Sequence, residues 1–345
     1  MTYTTRVNHM KFNTAMRTLL IAAGAIMLVT MLLASPLGQQ ATGSTATAQK
    51  SFATPEDAVN ELIKATSDYD IPALKQIFGP EGSEFISTAD PVQDKNNSQA
   101  FAALAQQKHS LTPSPSNSVT RKVLIVGPED WPFPIPLVKK SGNWMFDTAA
   151  GRKELLYRRI GTNELDVIQI CRGYVEAQKV YALTVHDNSG LNQYAQKIIS
   201  TPGKQDGLYW KNPDGTPGGP ISEAAAKAIS EGYDLDKRSA YHGYYFKVLK
   251  GQGPNAPLGR LDYEIQGAMI GGFALIAAPA EYRVTGVKTF MVSQDGVVYE
   301  KDLGLDTVNV AKTITLFNPD KTWKVTKDEW PGTPDNSDIQ DATLQ

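Results

Sequence analysis

The stretch GVKTFMVSQDGVVYEKDLG, residues 286–304, decides the fold of the C-terminal half of the chain. Two apolar runs flank Asp295-Gly296, a pair that readily supplies the positive φ angles required by a tight turn between strands. Side chains alternate between the two faces of a strand, so Phe290 and Val292 share one face of the first run. The stretch is therefore predicted to be a β-hairpin.

Two acidic residues downstream of the turn, Glu300 and Asp302, raise the competing idea of a catalytic or cation-binding loop. Lys301 stands between them and provides a counter-charge. A calcium loop of the EF-hand type also needs several oxygen ligands at alternating positions. The hairpin is the better interpretation.

The segments before the hairpin predict a helix followed by antiparallel strands. The helix is TNELDVIQICRGYVEAQKVYAL, in which Leu165, Ile168, Cys171 and Val175 form one apolar stripe. A loop rich in Gly, Pro and Asp follows it, and then a short helix over 221–230. Strands are predicted in YHGYYFKVL, LDYEIQ and GGFALIAAPAEY, and a final strand in NPDKTWKVT.

The N-terminal half predicts helices first and strands second. Thr54 and Asp70 are placed to cap two helices, and Gly79 to end the second. Strands follow in SVTRKVLIVG and in FPIPLVKKSGNWMFD, which reads as a hairpin, and TAAGRKELLYRRIG is a helix predicted to end at Gly161. The fold class is therefore α+β, with two domains.

Composition excludes several classes of function. The chain has 345 residues, enough for two domains, and a formal net charge of −2, which lacks the basic surplus of a nucleic-acid-binding protein. Its one cysteine, Cys171, excludes an intrachain disulfide and a cysteine-rich zinc site. The four histidines are scattered, so neither a metal site nor a cofactor is predicted.

The N-terminus is predicted to carry an export signal. Three basic residues precede the uncharged apolar run at 18–34, as in a signal peptide. Cleavage is predicted near Ala48, and an uncleaved membrane anchor over 18–34 is the alternative. Both place the protein in the periplasm or outside the cell.

The predicted organisation has four parts. Residues 1–48 are the signal or anchor with a linker, 50–161 an N-terminal α+β domain, and 162–326 a C-terminal domain with its long helix on an antiparallel sheet. Residues 327–345 form a polar tail.

No catalytic residue is assigned, since nucleophile motifs and phosphate-binding loops are absent from the sequence. The candidate ligand-binding residues are Trp131, Asp206, Tyr209, Trp210 and His242. The aromatic residues can stack on a sugar or a partner protein. The favoured competing interpretations are that Tyr209 and Trp210 pack the base of a long loop against the core and that Trp131 belongs to an edge strand protected by prolines. His242 is a candidate acid–base group because it lies among aromatic residues at a strand start, and a hydrogen-bonded edge histidine is the competing interpretation.

Several long motifs resemble one known family. The segments FATPEDAV, GKQDGLYW, YHGYYFKVLKGQGPNAPLG and MIGGFALIAAPAEYRVTGVKTFMVSQDGVVYEKDLG are similar to the bacterial domain-of-unknown-function family 2950, over about residues 51–326. The resemblance implies an exported bacterial protein and names no activity. The order of elements in the first domain also resembles the nuclear-transport-factor-2-like superfamily.

The C-terminal half resembles the soluble domain of type IV pilin-like proteins, through GYYFKVL, FALIAAPAEY and TGVKTFMVSQDGVVY. The resemblance implies a helix against a short antiparallel sheet. In pilins the apolar segment is continuous with this helix, whereas here polar RRIGTNE precedes it and the apolar run lies a domain upstream. Pilin-type assembly is therefore not implied.

The sequence predicts an exported cell-envelope protein that acts as a non-enzymatic binding or structural module. Its partner is expected to be an unidentified protein or glycan of the envelope, with membrane contact only through 18–34. One alternative is an envelope hydrolase or carbohydrate-processing enzyme that uses His242 and Asp206 between the domains. The other is a pilus- or secretion-associated subunit.

Overall fold

The computed structural model describes residues 48–86, 91–114, 117–187, 189–222, 226 and 240–327. The chain divides into two compact units, the first ending at Arg159 and the second beginning at Ile160. Both combine helices with antiparallel sheets, so the predicted α+β class is confirmed. The predicted export segment, the tail from 328 and most of the predicted helix at 221–230 lie outside the described residues, and the domain boundaries drawn from the sequence stay predictions.

The first unit begins with helices whose ends are set by local chemistry. They are α1 (Pro55–Asp68), α2 (Ile71–Phe78), a 3₁₀ turn (Pro80–Phe85) and α3 (Pro91–Gln107). The Thr54 hydroxyl accepts from the Asp57 amide at 3.1 Å, and the Asp70 carboxylate accepts from the Ala73 amide at 3.0 Å. Both caps were predicted, because each satisfies an amide that the helix leaves free.

The first unit contains a five-stranded sheet. Its strands are β1 (His109–Ser114), β2 (Asn117–Val126), β3 (Trp131–Pro132), β4 (Leu137–Lys140) and β5 (Asn143–Phe146). They pair in the order β1-β2-β4-β5, and β3 pairs with Ile125 and Val126 of β2. The predicted hairpin between β4 and β5 is confirmed, with Lys140 opposite Asn143.

One long helix, α4 (Thr148–Tyr181), replaces the two helices predicted on either side of Gly161. The prediction of an end at Gly161 is wrong. A glycine inside a helix costs only about 1 kcal/mol relative to alanine, and packing on both sides outweighs this. The predicted apolar stripe is confirmed, since Ile168, Cys171 and Val175 are buried in the core of the second unit.

The main sheet of the second unit has five strands: β9 (Tyr244–Leu249), β14 (Ala274–Pro279), β15 (Lys288–Ser293), β16 (Val298–Asp302) and β17 (Lys324–Val325). They lie in the order β17-β16-β15-β14-β9, and every neighbouring pair is antiparallel. A short helix, α5 (Thr307–Thr313), follows β16 in the chain. Small two-stranded ladders join β10 (Gly251–Gln252) to β11 (Leu261–Asp262) and β12 (Glu264–Ile265) to β13 (Ala268–Met269).

The hairpin at 286–304 is confirmed as the link between β15 and β16. Val292 pairs with Val298, and Gly296 adopts a φ of +78° in the turn. Both Phe290 and Met291 are buried, although they point to opposite faces. Strand β15 is therefore covered on both sides and lies inside the core.

A three-stranded sheet occupies the region that the sequence predicted as loop after α4. It consists of β6 (Lys197–Ile199), β7 (Gly207–Lys211) and β8 (Pro217–Gly218), with β6 parallel to β7. The prediction of a loop is wrong for β7, which contains Tyr209 and Trp210. The strands are short and rich in Gly and Pro, and their pairing depends on close backbone approach: a Cβ at Gly207 would lie 2.6 Å from the Ser200 nitrogen.

Candidate functional site

A tight turn at His242-Gly243 leads into β9. Tyr241 and Tyr244 exchange two backbone hydrogen bonds, of 3.0 and 2.9 Å. His242 has a φ of +48° and Gly243 a φ of +73°. Positive φ at both central positions is the requirement of a type I′ turn, where Asn or Asp usually precedes Gly. Positive φ is uncommon for a non-glycine residue, and histidine is among the types that adopt it more often.

The turn is docked against α4 through Gly243. A Cβ at this glycine would lie 2.7 Å from the Thr285 Cβ and 2.9 Å from the Asn163 Nδ2 atom. The same Asn163 amide donates to the Thr285 carbonyl at 2.8 Å, which ties α4 to the loop before β15. Only glycine fits at this position without a shift of its neighbours, so the turn packs closely against α4 and the loop before β15.

The docking brings the imidazole of His242 to Asp166 on α4. The Nδ1 atom lies 2.8 Å from Asp166 Oδ2, a distance at which an N–H donates to a carboxylate. The two side chains are 36% and 34% exposed, so the pair is accessible from solvent. The Tyr241 ring contacts the imidazole edge-on, with centroids 4.3 Å apart. Burial, followed by the Asp166 charge, raises the pKa of Tyr241 and keeps its phenol protonated.

Glu164, two residues before Asp166 on α4, fixes the start of β15. Its Oε1 atom accepts from the Val287 amide at 2.8 Å and from the Lys288 amide at 3.0 Å, and the Tyr244 hydroxyl donates to the Lys288 carbonyl at 2.8 Å. The pKa of Glu300 lies above its ordinary value. Burial of the carboxyl is the main cause; the charge of Lys288 partly offsets it, and the charge of Glu164 adds to it. Two carboxylates of α4 thus contact the second unit's turns, Asp166 at the His242 turn and Glu164 at the start of β15.

The second group of candidate residues surrounds Trp210 on β7. Trp210 contacts His186 and Tyr181 edge-on, at centroid distances of 5.3 and 6.3 Å, and His186 stacks on Tyr181 at 3.9 Å. Tyr209, on the same strand, is buried. Both nitrogens of the buried His186 are used, Nδ1 with Gln205 Oε1 at 3.2 Å and Nε2 with the Tyr181 carbonyl at 2.9 Å. This cluster is packed as a core.

Asp206 is held within the same region. The Thr201 amide and hydroxyl donate to its carboxylate at 2.7 and 2.8 Å, and Lys197 Nζ lies 3.0 Å away. Burial raises the pKa of Asp206, but the bonds from Thr201 and Lys197 outweigh it, so the pKa lies below its ordinary value. The carboxylate is ionised and engaged in closing the β6–β7 loop, which is a structural role.

The structure keeps His242 apart from Asp206 and Trp210. His242 contacts Asp166, whereas Trp210 contacts Tyr181, fifteen residues further along the same helix. At 1.5 Å per residue this is roughly 22 Å along the helix axis. The candidates from the sequence therefore form two separate groups in the second unit.

Trp131 lies in the first unit, on β3. The Arg158 guanidinium sits over its ring with the central carbon 5.4 Å from the centroid, and Phe133 contacts it edge-on at 6.3 Å. Arg158 Nε donates to Glu154 Oε1 at 2.8 Å. The indole is half-buried, so part of it is available to solvent.

Cys171 is predicted to be unreactive in the folded protein. The thiol is buried, and burial raises its pKa to about 12, an effect that Arg172 only partly offsets. Because the thiolate is the reactive form, iodoacetamide at pH 8 should leave Cys171 unmodified in native protein and alkylate it after unfolding in guanidinium. Mass spectrometry of the alkylated protein measures this. Rapid labelling of native protein would contradict the burial.

Among the described residues, no group of three or more His, Cys, Asp or Glu side chains is arranged to hold a metal ion. No helix in the described ranges is long and apolar enough to cross a membrane.

Sequence reasoning missed Asp166 and Glu164 as functional candidates. Their partners, His242 and the amides of 287 and 288, are distant in sequence, so no local pattern reveals the contacts. The His-Gly pair between two tyrosines is the one available signal, since it fits a type I′ turn and marks a histidine held in an unusual conformation.

Comparisons with known proteins give a family but no activity. A family model described as "Protein of unknown function (DUF2950)" matches residues 49–326, which include the His242 turn, Asp166 and Trp131. No curated protein and no solved structure matches the chain. The match covers well over half of the sequence, and the chain therefore belongs to the DUF2950 family.

Proposed function

We propose that the protein is exported and works in the cell envelope. The basic N-terminus and the apolar run at 18–34 support export. N-terminal sequencing of protein recovered from fractionated cells tests this. We expect an envelope fraction and a new N-terminus near Ala48, or an intact N-terminus in the membrane fraction if the segment is an anchor. Recovery of the intact chain from the cytoplasm would contradict export.

The first unit is proposed to be a non-catalytic binding module for an envelope glycan. The observation that carries this is the Trp131 indole with Arg158 over its ring. Aromatic rings offer an apolar face to the C–H groups of a sugar, while guanidinium and carboxylate groups bond its hydroxyls. Arg158 and Glu154 supply both kinds of group beside the ring, and their mutual bond at 2.8 Å holds them in place.

The position of Arg158 also favours ligand recognition. Its side chain is only 12% exposed, and the bond to Glu154 uses Nε. Within the described part of the chain, no protein group bonds the two terminal nitrogens, which can serve as donors to a ligand. A guanidinium that is already immobilised loses little further freedom when it binds a ligand.

Sedimentation with insoluble peptidoglycan tests the glycan proposal. Wild-type protein should co-sediment, and Trp131→Ala should weaken binding by about twofold to tenfold, because stacking on an aromatic ring contributes on the order of 0.5–1.5 kcal/mol. Tyr157→Ala is the matched control, because Tyr157 is an aromatic residue of the same unit that is 64% exposed and is not one of the described rings in contact with Trp131. Equal binding by Trp131→Ala and wild type would refute the proposal.

A further inference from the structure

We propose that Asp166 and His242 form a general-base pair that activates water for hydrolysis of an uncharged ester. This goes beyond the glycan-binding function of the first unit and concerns a site within the second unit. It uses His242 with a carboxylate that the sequence did not indicate, and without Asp206.

The pair is built as a preorganised base. A carboxylate that accepts from Nδ1 selects the tautomer with the proton on Nδ1, and this leaves the Nε2 lone pair free to accept a proton. It also stabilises the imidazolium that forms when Nε2 takes that proton. Among the described residues, no protein group bonds Nε2, and the imidazole is 36% exposed. Water from the solvent therefore has access to the ring.

The turn fixes the position of the imidazole. Two backbone hydrogen bonds between Tyr241 and Tyr244 close it. The close packing of Gly243 against Asn163 and Thr285 then holds the imidazole opposite Asp166.

The charges around the pair select the kind of substrate. The Asp166 carboxylate lies 2.8 Å from the imidazole, and its negative charge disfavours a phosphate ester. Glycoside cleavage needs a carboxylic acid and a carboxylate on opposite sides of the bond, whereas one imidazole can serve both halves of ester hydrolysis.

The reaction balances with water as the only co-reactant. Nε2 accepts a proton from water as the water oxygen attacks the acyl carbon, which gives a tetrahedral intermediate and an imidazolium paired with Asp166. The intermediate collapses with cleavage of the bond to the alcohol oxygen, and the imidazolium returns its proton to that oxygen. The products are a carboxylic acid and an alcohol, and the imidazole is regenerated.

Hydrolysis of p-nitrophenyl acetate by the purified full-length protein tests the proposal. We expect His242→Gln and Asp166→Asn each to lower kcat about a hundredfold or more, the usual contribution of a positioned base. The double variant should be no slower than the worse single variant, since both residues serve one step.

His109→Gln is the matched control, because His109 Nδ1 bonds the Ala105 carbonyl at 2.7 Å and not a carboxylate. It should hydrolyse the ester as fast as wild type. Thermal unfolding identifies variants that fail to fold, and Asp166→Asn, which keeps the shape of the side chain, provides the result if His242→Gln does not fold. Full activity in folded Asp166→Asn, a wild-type rate no higher than that of His242→Gln, or cleavage of p-nitrophenyl phosphate alone would each overturn the proposal.

Glycan binding by the first unit and ester hydrolysis by the second are tested independently. Trp131→Ala should keep the esterase rate while it loses peptidoglycan binding, and Asp166→Asn should do the reverse. Loss of both properties in Trp131→Ala would overturn the assignment of hydrolysis to a site separate from Trp131.

Discussion

Replacing Phe290 by alanine is expected to lower the free energy of unfolding by about 3–5 kcal/mol, the usual cost of deleting a large aromatic side chain from a core. Phe290 is only 1% exposed, and its ring lies 5.9 Å from that of Tyr244 on β9, across the strand between them. Removing it leaves a cavity at the centre of the main sheet. Equilibrium urea unfolding measures the effect.

Two valines of the same sheet provide the control. Val292→Ala removes two methyl groups from the buried β15, and Val325→Ala removes the same groups from β17, where the side chain is 58% exposed. The first substitution should destabilise the protein by about 1 kcal/mol or more, and the second by less than about 0.5 kcal/mol. Equal effects at the two positions would contradict the placement of β15 in the core.

Replacing Gly243 by alanine is expected to destabilise the protein by about 2–5 kcal/mol. A residue with a Cβ pays roughly 1–2 kcal/mol at a φ of +73°, and forcing an extra methyl group into a filled space costs roughly 1–3 kcal/mol more. The new Cβ would meet Thr285 and Asn163 at less than 3.0 Å. The turn must then move away from α4, which separates His242 from Asp166.

Gly296→Ala is the matched control for that experiment. Gly296 has a similar φ of +78° in the hairpin turn, but no atom lies within 4 Å of the position of its Cβ. It should cost only the conformational part, about 1–2 kcal/mol. Thermal or urea unfolding of both variants separates the two contributions, and equal losses would show that Gly243 is not packed against α4.

The features that were predicted from sequence depend on interactions between near neighbours. The hairpin at 295–296 follows from the backbone preference of Asp-Gly, and the caps at Thr54 and Asp70 follow from bonds to amides three residues away. The burial of Cys171 follows from its place on an apolar stripe.

The features that were missed depend on distant partners. Gly161 lies inside α4 because packing outweighs the small cost of a helical glycine, and β7 forms because β6 is there to pair with it. The contact between Asp166 and His242 joins a helix to a turn far along the chain. The sequence around either residue gives no indication of the other, so the pair is recognised only in the folded structure.

The tautomer of the neutral His242 ring is the most direct test of the proposed general base. We predict that ¹⁵N-detected NMR of the histidine side chains will show His242 in the neutral tautomer with its proton on Nδ1, and that Asp166→Asn will abolish this preference. Free histidine favours the tautomer with the proton on Nε2, so the two outcomes are distinct. A neutral His242 that carries its proton on Nε2 in the wild-type protein would contradict the pairing with Asp166, and with it the proposed base.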